Sequence, residues 1–439
     1  MKFFQKYKIE LLCLLLASFF PLALLRIYNA IMKGWIFFSG ELACLFPFAH
    51  KLHSYNPSLY KSLLLDLNRD SPRYLMESTQ WFYGPIHHLW LFPLTYFAPS
   101  VSWFFNPLLV FYLVLIFLLL FLLYRSLFDT RNIVLLLAFM TIALGSMQMS
   151  ENLVQRNVEL LEVSLIIIAY LCIKNNKHML GGGILGLAAM AKFLPFLFVP
   201  YLLVKRKTKA VVGFLIVFIC IAVLGQLVLG WENNELFTSW QKLHRFGAPL
   251  TALGGQPYIV PISHLRGSFY TFILSFFASI DMSSYIPIVT YKINDFIFPN
   301  ILFFILSGII FFSSFYLFYK KKNGDLFFEF SIVGLLMLLL SPRTNPHYYI
   351  FSLFAFLSVF KFLVSSKYKL SSSSFTFIGG LFFLLLLLMG HLIPFSVYEI
   401  IFPLENAAFH YFSTYSIFGM GAFLLWCLMM YLGHKLDRV

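Results

Sequence analysis

Glu41 is a lone carboxylate in GWIFFSGELACLFPFAHKLHSY, residues 34–55, just past a long apolar run. Farther along, Glu151, Gln155, Arg156 and Asn157 fall together in ENLVQRN. Lys192 interrupts the apolar stretch MAKFLPF, and Arg343 and His347 lie in SPRTNPHYY. Acids are scarce here: 18 Asp and Glu stand against 32 Lys and Arg, and only 11% of residues are charged. Ionisable groups in such apolar surroundings are costly, which makes them functional candidates. A carboxylate among several cations suits one chemistry well. The carboxylate takes the proton of an acceptor hydroxyl while the cations hold a phosphate that leaves. Arginine serves phosphate through its planar fork of donors.

Each residue also has an ordinary explanation. Glu41 can cap a juxtamembrane helix or pair with a lysine. Arg156 can anchor lipid headgroups, Lys192 can snorkel to an interface, and His347 can simply pack. Glu159 and Glu162, three residues apart, share a helix face and can pair with Arg156 or Lys192. His87 and His88 are adjacent, point apart on a helix and lack a third ligand, so no metal site is assigned. Cys13, Cys44, Cys172, Cys220 and Cys427 show neither metal nor disulfide spacing.

The elements that position these groups are expected to be membrane helices. Apolar runs long enough to cross a bilayer, such as PLLVFYLVLIFLLLFLLY, recur from end to end. The longest polar-rich segments are short and flanked by apolar sequence, so residues 1–439 read as one transmembrane domain. The N-terminal apolar run reads as a retained anchor, because no convincing small-residue cleavage site follows it. The net charge of +14 is not a nucleic-acid signal. The basic residues fall in short clusters between apolar runs: Lys2 to Lys8, Arg125 and Arg131, Lys174 and Lys177, Lys205 to Lys209, Lys320 to Lys322, Lys367 and Lys369, and the C-terminus. Such clusters mark cytoplasmic loops.

Alternation between those clusters predicts an all-α polytopic membrane protein with about ten transmembrane helices and both termini cytoplasmic. The expected crossings are about 9–31, 104–124, 132–149, 158–173, 210–230, 297–319, 326–341, 346–365, 374–394 and 413–433. Two large external loops follow, 32–103 and 231–296. Residues 81–100, with Pro85, Pro93 and Pro99, form an interfacial element in the first. Residues 179–203 break the alternation, with basic clusters at both ends and Lys192 and Pro195 between them. A re-entrant pair of half-helices satisfies that pattern, with one kinked helix as the alternative. Glycines 181–186 would permit close helix packing. Trp35, Trp81, Trp90, Trp103, Trp231 and Trp240 all map to the outer side, where the candidate polar residues also gather.

The ordered polar residues resemble a known family. VQRNVELLEVSLIIIAYLCIKNNKHMLGGGILGLAAMAKFLPFLFVPYLLVKRK is similar, in order and spacing, to the GQ-x-N turn, apolar helix, basic turn, glycine helix and K-x-x-P of GT-C glycosyltransferases. YGPIHHLWLFPL, GELACLFPFAHKLHSYNPSLY and SPRTNPHYY resemble three further family segments. The family is that of the polyprenyl-phosphate-mannose-dependent alpha-1,2-mannosyltransferases, which includes mycobacterial phosphatidylinositol mannoside and arabinan-branching enzymes. The chain departs from the pattern in three places. Glu41 stands for the usual first-loop Asp, Val154 for the glycine of GQ, and two residues separate Pro57 from Tyr60.

The resemblance implies a GT-C architecture with external juxtamembrane helices. It implies an inverting transfer of a sugar, mannose by analogy, from a polyprenyl monophosphate donor to a glycolipid or glycan acceptor. Glu41 would be the general base. Arg156, Lys192, Arg343 and His347 would meet the donor phosphate and sugar hydroxyls, and Gln155 and Asn157 the sugar. Trp81, Tyr83 and Tyr348 would stack on the sugar. The scheme requires no cofactor or metal. Its partners are the lipid-linked donor, the acceptor and membrane lipids, at the outer face of a bacterial plasma membrane. Nucleotide sugars are absent there, which agrees with a lipid donor. The alternative is a multi-pass transporter or flippase of a lipid-linked or polar solute. Broken helices suit it, but no internal repeat relates the two halves.

Overall fold

The computed structural model describes residues 2–36, 101–128, 132–155, 157–229, 259–261, 268–274, 288–290, 297–321, 324–341, 344, 346–365, 371–390, 392 and 407–435. Among these the regular structure is helical, apart from one short antiparallel pair. In it β1 (Ile259–Pro261) lies beside β2 (Ile288–Thr290), with Ile259 opposite Thr290. Five helical stretches are long and apolar enough to cross a membrane: Tyr7–Met32, Leu109–Leu127, Ile301–Lys320, His347–Val364 and Ile417–Lys435. A sixth is added if the bent pair Ile133–Leu144 and Met147–Val154 forms one span. Five shorter apolar helices accompany them. The protein is thus an all-α membrane protein. Of the ten or so crossings expected, five to six reach full length in the described residues. Exposed faces support the membrane reading: Phe298, Ile301, Ile305 and Phe312 line one side of a single helix.

The chain divides into two compact units. The first comprises Met1–Ile27, Leu122–Ser150 and Phe246–Val439. Its centre is α12 (Leu326–Leu339), whose residues from Phe327 to Leu339 are all buried. A helix apolar on every side belongs inside, and this one is surrounded by neighbours. Asp325 caps it, accepting from the Phe327 and Phe328 N–H groups at 2.9 and 3.2 Å. Asp325 also pairs with Lys361, in the last turn of α13 (Ser352–Val364). Ser331 ties the two helices together by donating to the Phe354 carbonyl at 2.8 Å. Trp426 on α15 (Ala407–Lys435) donates to Ser314 on α11 (Ile297–Lys320) at 2.9 Å.

Helix α14 (Ser372–Leu388) starts at the cap Ser371. Lys8, on α1 (Lys2–Ser18), donates to Ser372 Oγ at 2.7 Å and Thr376 Oγ1 at 2.9 Å, and Lys435 reaches Ser374 at 3.3 Å. These bonds gather the start of α1, the start of α14 and the end of α15 at one end of the unit. The charge rule places the same three segments on one side of the membrane.

The second unit comprises Tyr28–Phe121 and Glu151–Arg245. It contains α6 (Glu159–Lys174), α7 (His178–Ala191), a 3-10 turn (Leu194–Leu197), α8 (Phe198–Val204) and α9 (Thr208–Leu229). The glycines pack as their small size predicts. A Cβ at Gly182 would collide with the backbone of Ala210, and one at Gly186 with that of Phe214. Partners advancing together by four residues mean that α7 and α9 run parallel and begin at the same end. The chain between them must therefore go out and come back. Helix α7 carries it out about 21 Å at 1.5 Å per residue. The chain turns at Lys192, whose backbone is extended at φ −141° and ψ 145°, and the 3-10 turn and α8 return it. Both His178–Ala191 and Leu194–Val204 are apolar and shorter than a full crossing.

The structure corrects one local expectation. ENLVQRN reads as an external turn, but Glu151–Gln155 are helical and complete α5 (Met147–Gln155). The chain bends earlier, at Gly145–Ser146, where α4 (Ile133–Leu144) and α5 meet at 58°, and turns again at Asn157–Val158 before α6. Ser146 starts the new helix by accepting the Met149 N–H at 3.1 Å.

Candidate functional site

Asn157 joins α5 to α6. Its N–H donates to the Asn152 carbonyl at 3.0 Å, and its own carbonyl accepts the Leu160 N–H at 3.4 Å. Asn157 is fully buried. Two residues on, Glu159 opens α6, where the partial positive charge of a helix N-terminus favours a carboxylate. Glu162 follows on the same face, and it too is buried.

Lys192 comes from the other side of this unit's sequence. Pro195 lacks an N–H and restricts the residue before it, so α7 does not continue and Lys192 occupies the break. Its ammonium forms an ion pair with Glu159. The Lys192 side chain is 2% exposed and that of Glu159 0%, so both charges have left water. The pair brings the chain next to Asn157 and the Lys192–Pro195 break into contact, although 33 residues separate them. Of the two ordinary partners weighed for Glu159, Lys192 pairs with it, and Arg156 lies outside the described residues.

His347 and Tyr348 belong to the other unit. They lie in a 3-10 turn, Pro346–Phe351, that leads into α13. His347 is buried, and its ring meets that of Tyr348 edge-on, with centroids 4.7 Å apart. Tyr349 beside them packs on Phe418, with centroids 5.4 Å apart. Gln155 is the last residue of α5. Glu41, Trp81, Tyr83, Arg156 and Arg343 lie outside the described residues.

Sequence reasoning passed over Arg26. Its guanidinium donates to the carbonyl of Gly145, which ends α4, and to that of Gly390 at 2.9 Å, just past α14. The Met147 N–H donates to the same Gly390 carbonyl at 3.0 Å, and Gln148 Nε2 to the Met389 carbonyl at 2.9 Å. Arg26 therefore secures the bend from which α5 starts toward Gln155 and Asn157. The available signal was a single arginine inside the first apolar run.

These positions can now be set against known proteins. A model of glycosyltransferase family 87 matches residues 81–342. The matched region holds Gln155, Arg156, Asn157, Glu159 and Lys192, while Glu41, Arg343 and His347 fall outside it. No curated protein and no solved structure matches the chain. The family is of the GT-C type, as the sequence resemblance implies, and its membership favours a membrane glycosyltransferase over a transporter. With more than half of the chain matched, the protein belongs to glycosyltransferase family 87.

Proposed function

We propose that the protein transfers a sugar, mannose in the first instance, from a polyprenyl monophosphate donor to a glycolipid or glycan acceptor at the non-cytoplasmic face of the membrane, with inversion. The observation that carries this reading is the junction of Asn157, Glu159 and Lys192. It joins the glutamine-asparagine segment to the K-x-x-P break inside the family match. A helix broken at a buried cation is a setting in which irregular backbone serves a polar ligand among apolar helices. A prenyl phosphate is such a ligand, with an apolar tail and a single anionic head.

In this reading Lys192 and Arg156 meet the phosphate, and Gln155 and Asn157 hydrogen-bond the sugar. Glu41 removes the proton of the acceptor hydroxyl as the phosphate departs. Arg343 and His347 keep the phosphate and hydroxyl roles that the resemblance suggests for them, and Trp81, Tyr83 and Tyr348 the stacking roles. A phosphate leaving group needs charge stabilisation more than protonation, so cations suit it better than a general acid.

The test supplies the purified full-length protein with polyprenyl-phosphate mannose and a panel of glycolipid acceptors. Transfer with inversion at the anomeric carbon is the expected result. Failure to consume this donor, together with turnover of another activated sugar, would remove the donor assignment. Full activity in Glu41→Gln would remove the base.

A further inference from the structure

We infer that Glu159 is a positioning residue for donor recognition: it holds Lys192 as a charged and directed ammonium at the break between α7 and the 3-10 turn. The inference rests on the polyprenyl-phosphate reading above.

A lysine removed from water keeps its charge only when an opposite charge or several acceptors compensate it. Lys192 is such a lysine, and its carboxylate partner is Glu159. The partner's own position is strongly determined. Glu159 is the first residue of α6, directly after the backbone bonds of Asn157, so its Cα is held by the turn. Lys192 caps the end of α7, where its own N–H donates to the Ala188 carbonyl at 3.3 Å. Both backbones are thus anchored at helix ends, and the long lysine stem, with more rotatable bonds than the glutamate's, is the part that the ion pair places. This ordering separates the two roles: Lys192 meets the phosphate, while Glu159 acts through Lys192.

The pair also accounts for an acid in a pocket meant for an anion. A lone glutamate beside a phosphate site would repel its ligand. Bound to Lys192, it preserves the lysine's charge and restricts its rotamers, which lowers the ordering cost when the donor arrives.

The readout is selectivity for phosphate, measured on the full-length protein in lipid nanodiscs. Affinity for a short-chain prenyl monophosphate is divided by affinity for the corresponding prenyl alcohol. Loss of packing alone lowers both affinities and leaves this ratio unchanged. Glu159→Gln is expected to lower the ratio about tenfold, the scale of one charged hydrogen bond. Lys192→Met should lower it by a similar factor, and Glu159→Gln with Lys192→Met no further than either alone. Glu159→Asp should retain more selectivity than Glu159→Gln.

A ratio in Glu159→Gln at or above the wild-type value overturns the inference, as does a fall in that variant with none in Lys192→Met. If Glu159→Gln does not fold, Glu159→Leu with Lys192→Met is compared with Lys192→Met alone. Equal ratios support the inference, and a further loss overturns it. A wild-type protein that does not prefer the phosphate over the alcohol overturns the donor reading and this inference with it.

Discussion

Lys192 forms its ion pair with Glu159, two residues past Asn157, and both side chains are withdrawn from solvent. Desolvating two charges is costly, and their attraction roughly offsets that cost only while both are present. Removing one partner strands the other. Lys192→Met alone should therefore destabilise the protein by about 3–5 kcal/mol, whereas Lys192→Met combined with Glu159→Leu should recover most of that loss. Thermal unfolding of the purified variants in one detergent gives the order. Equal melting temperatures for the single and double variants would mean that the pair is not coupled.

The parallel contact of α7 with α9 makes a second prediction about stability. A methyl group at Gly182 or Gly186 meets the backbone of Ala210 or Phe214, which cannot rotate away. Gly182→Ala and Gly186→Ala should each cost about 1–3 kcal/mol through overpacking. Gly379 and Gly380 lie in a helix too, but a Cβ at either meets nothing within 4 Å. Their alanine variants should be neutral or gain up to about 1 kcal/mol from reduced backbone entropy. Melting temperatures of the four variants, measured side by side, test the contrast.

The helices were legible because their causes are local. Apolar runs bounded by basic clusters place a helix at about 210–230, and α9 spans Thr208–Leu229. The break at Lys192 was legible for the same reason, since a charge and a proline interrupt an apolar run within four residues. Helix α5 was legible only at its start, since Met147–Met149 fall in the expected crossing 132–149 while the polar ENLVQ resembles a turn. What secures the new direction is remote in sequence, where Gln148 donates to the Met389 carbonyl, 241 residues away. Arg26 was missed on the same grounds, because its two acceptors lie 119 and 364 residues off. In the candidate site, the residue types in ENLVQRN and MAKFLPF announced polar chemistry. That Glu159 would pair with Lys192 depended on how α6 and α7 pack.

Arg26 itself is open to test. Its guanidinium serves carbonyls at the ends of two helices, and a leucine would leave both without that donor. The Gly390 carbonyl keeps the Met147 N–H, so the main loss falls on the Gly145 carbonyl, and an acceptor left unsatisfied out of water costs about 1–3 kcal/mol. Arg26→Leu should therefore lose about 1–3 kcal/mol of stability, and Arg26→Lys should recover part of it with a single charged donor. The measurement is the melting temperature and the yield of monodisperse protein. A stable Arg26→Leu would assign those carbonyls to other donors.

Glu41 is the residue on which the proposed chemistry is most exposed, since it stands where the resembling family carries aspartate. A general base contributes about 10²–10⁴-fold to rate. Glu41→Gln keeps the size and polarity of the side chain but cannot accept the proton, so kcat should fall within that range while KM for the donor changes little. A loss confined to kcat is the signature of an interaction made in the transition state. Glu41→Asp retains the charge on an arm shorter by one methylene. If the backbone places the longer arm for proton transfer, the aspartate variant should act more slowly than wild type yet faster than Glu41→Gln. The outcome that would sink the assignment is a rise in donor KM with kcat unchanged in Glu41→Gln. That would make Glu41 a binding residue and leave the proton to another group.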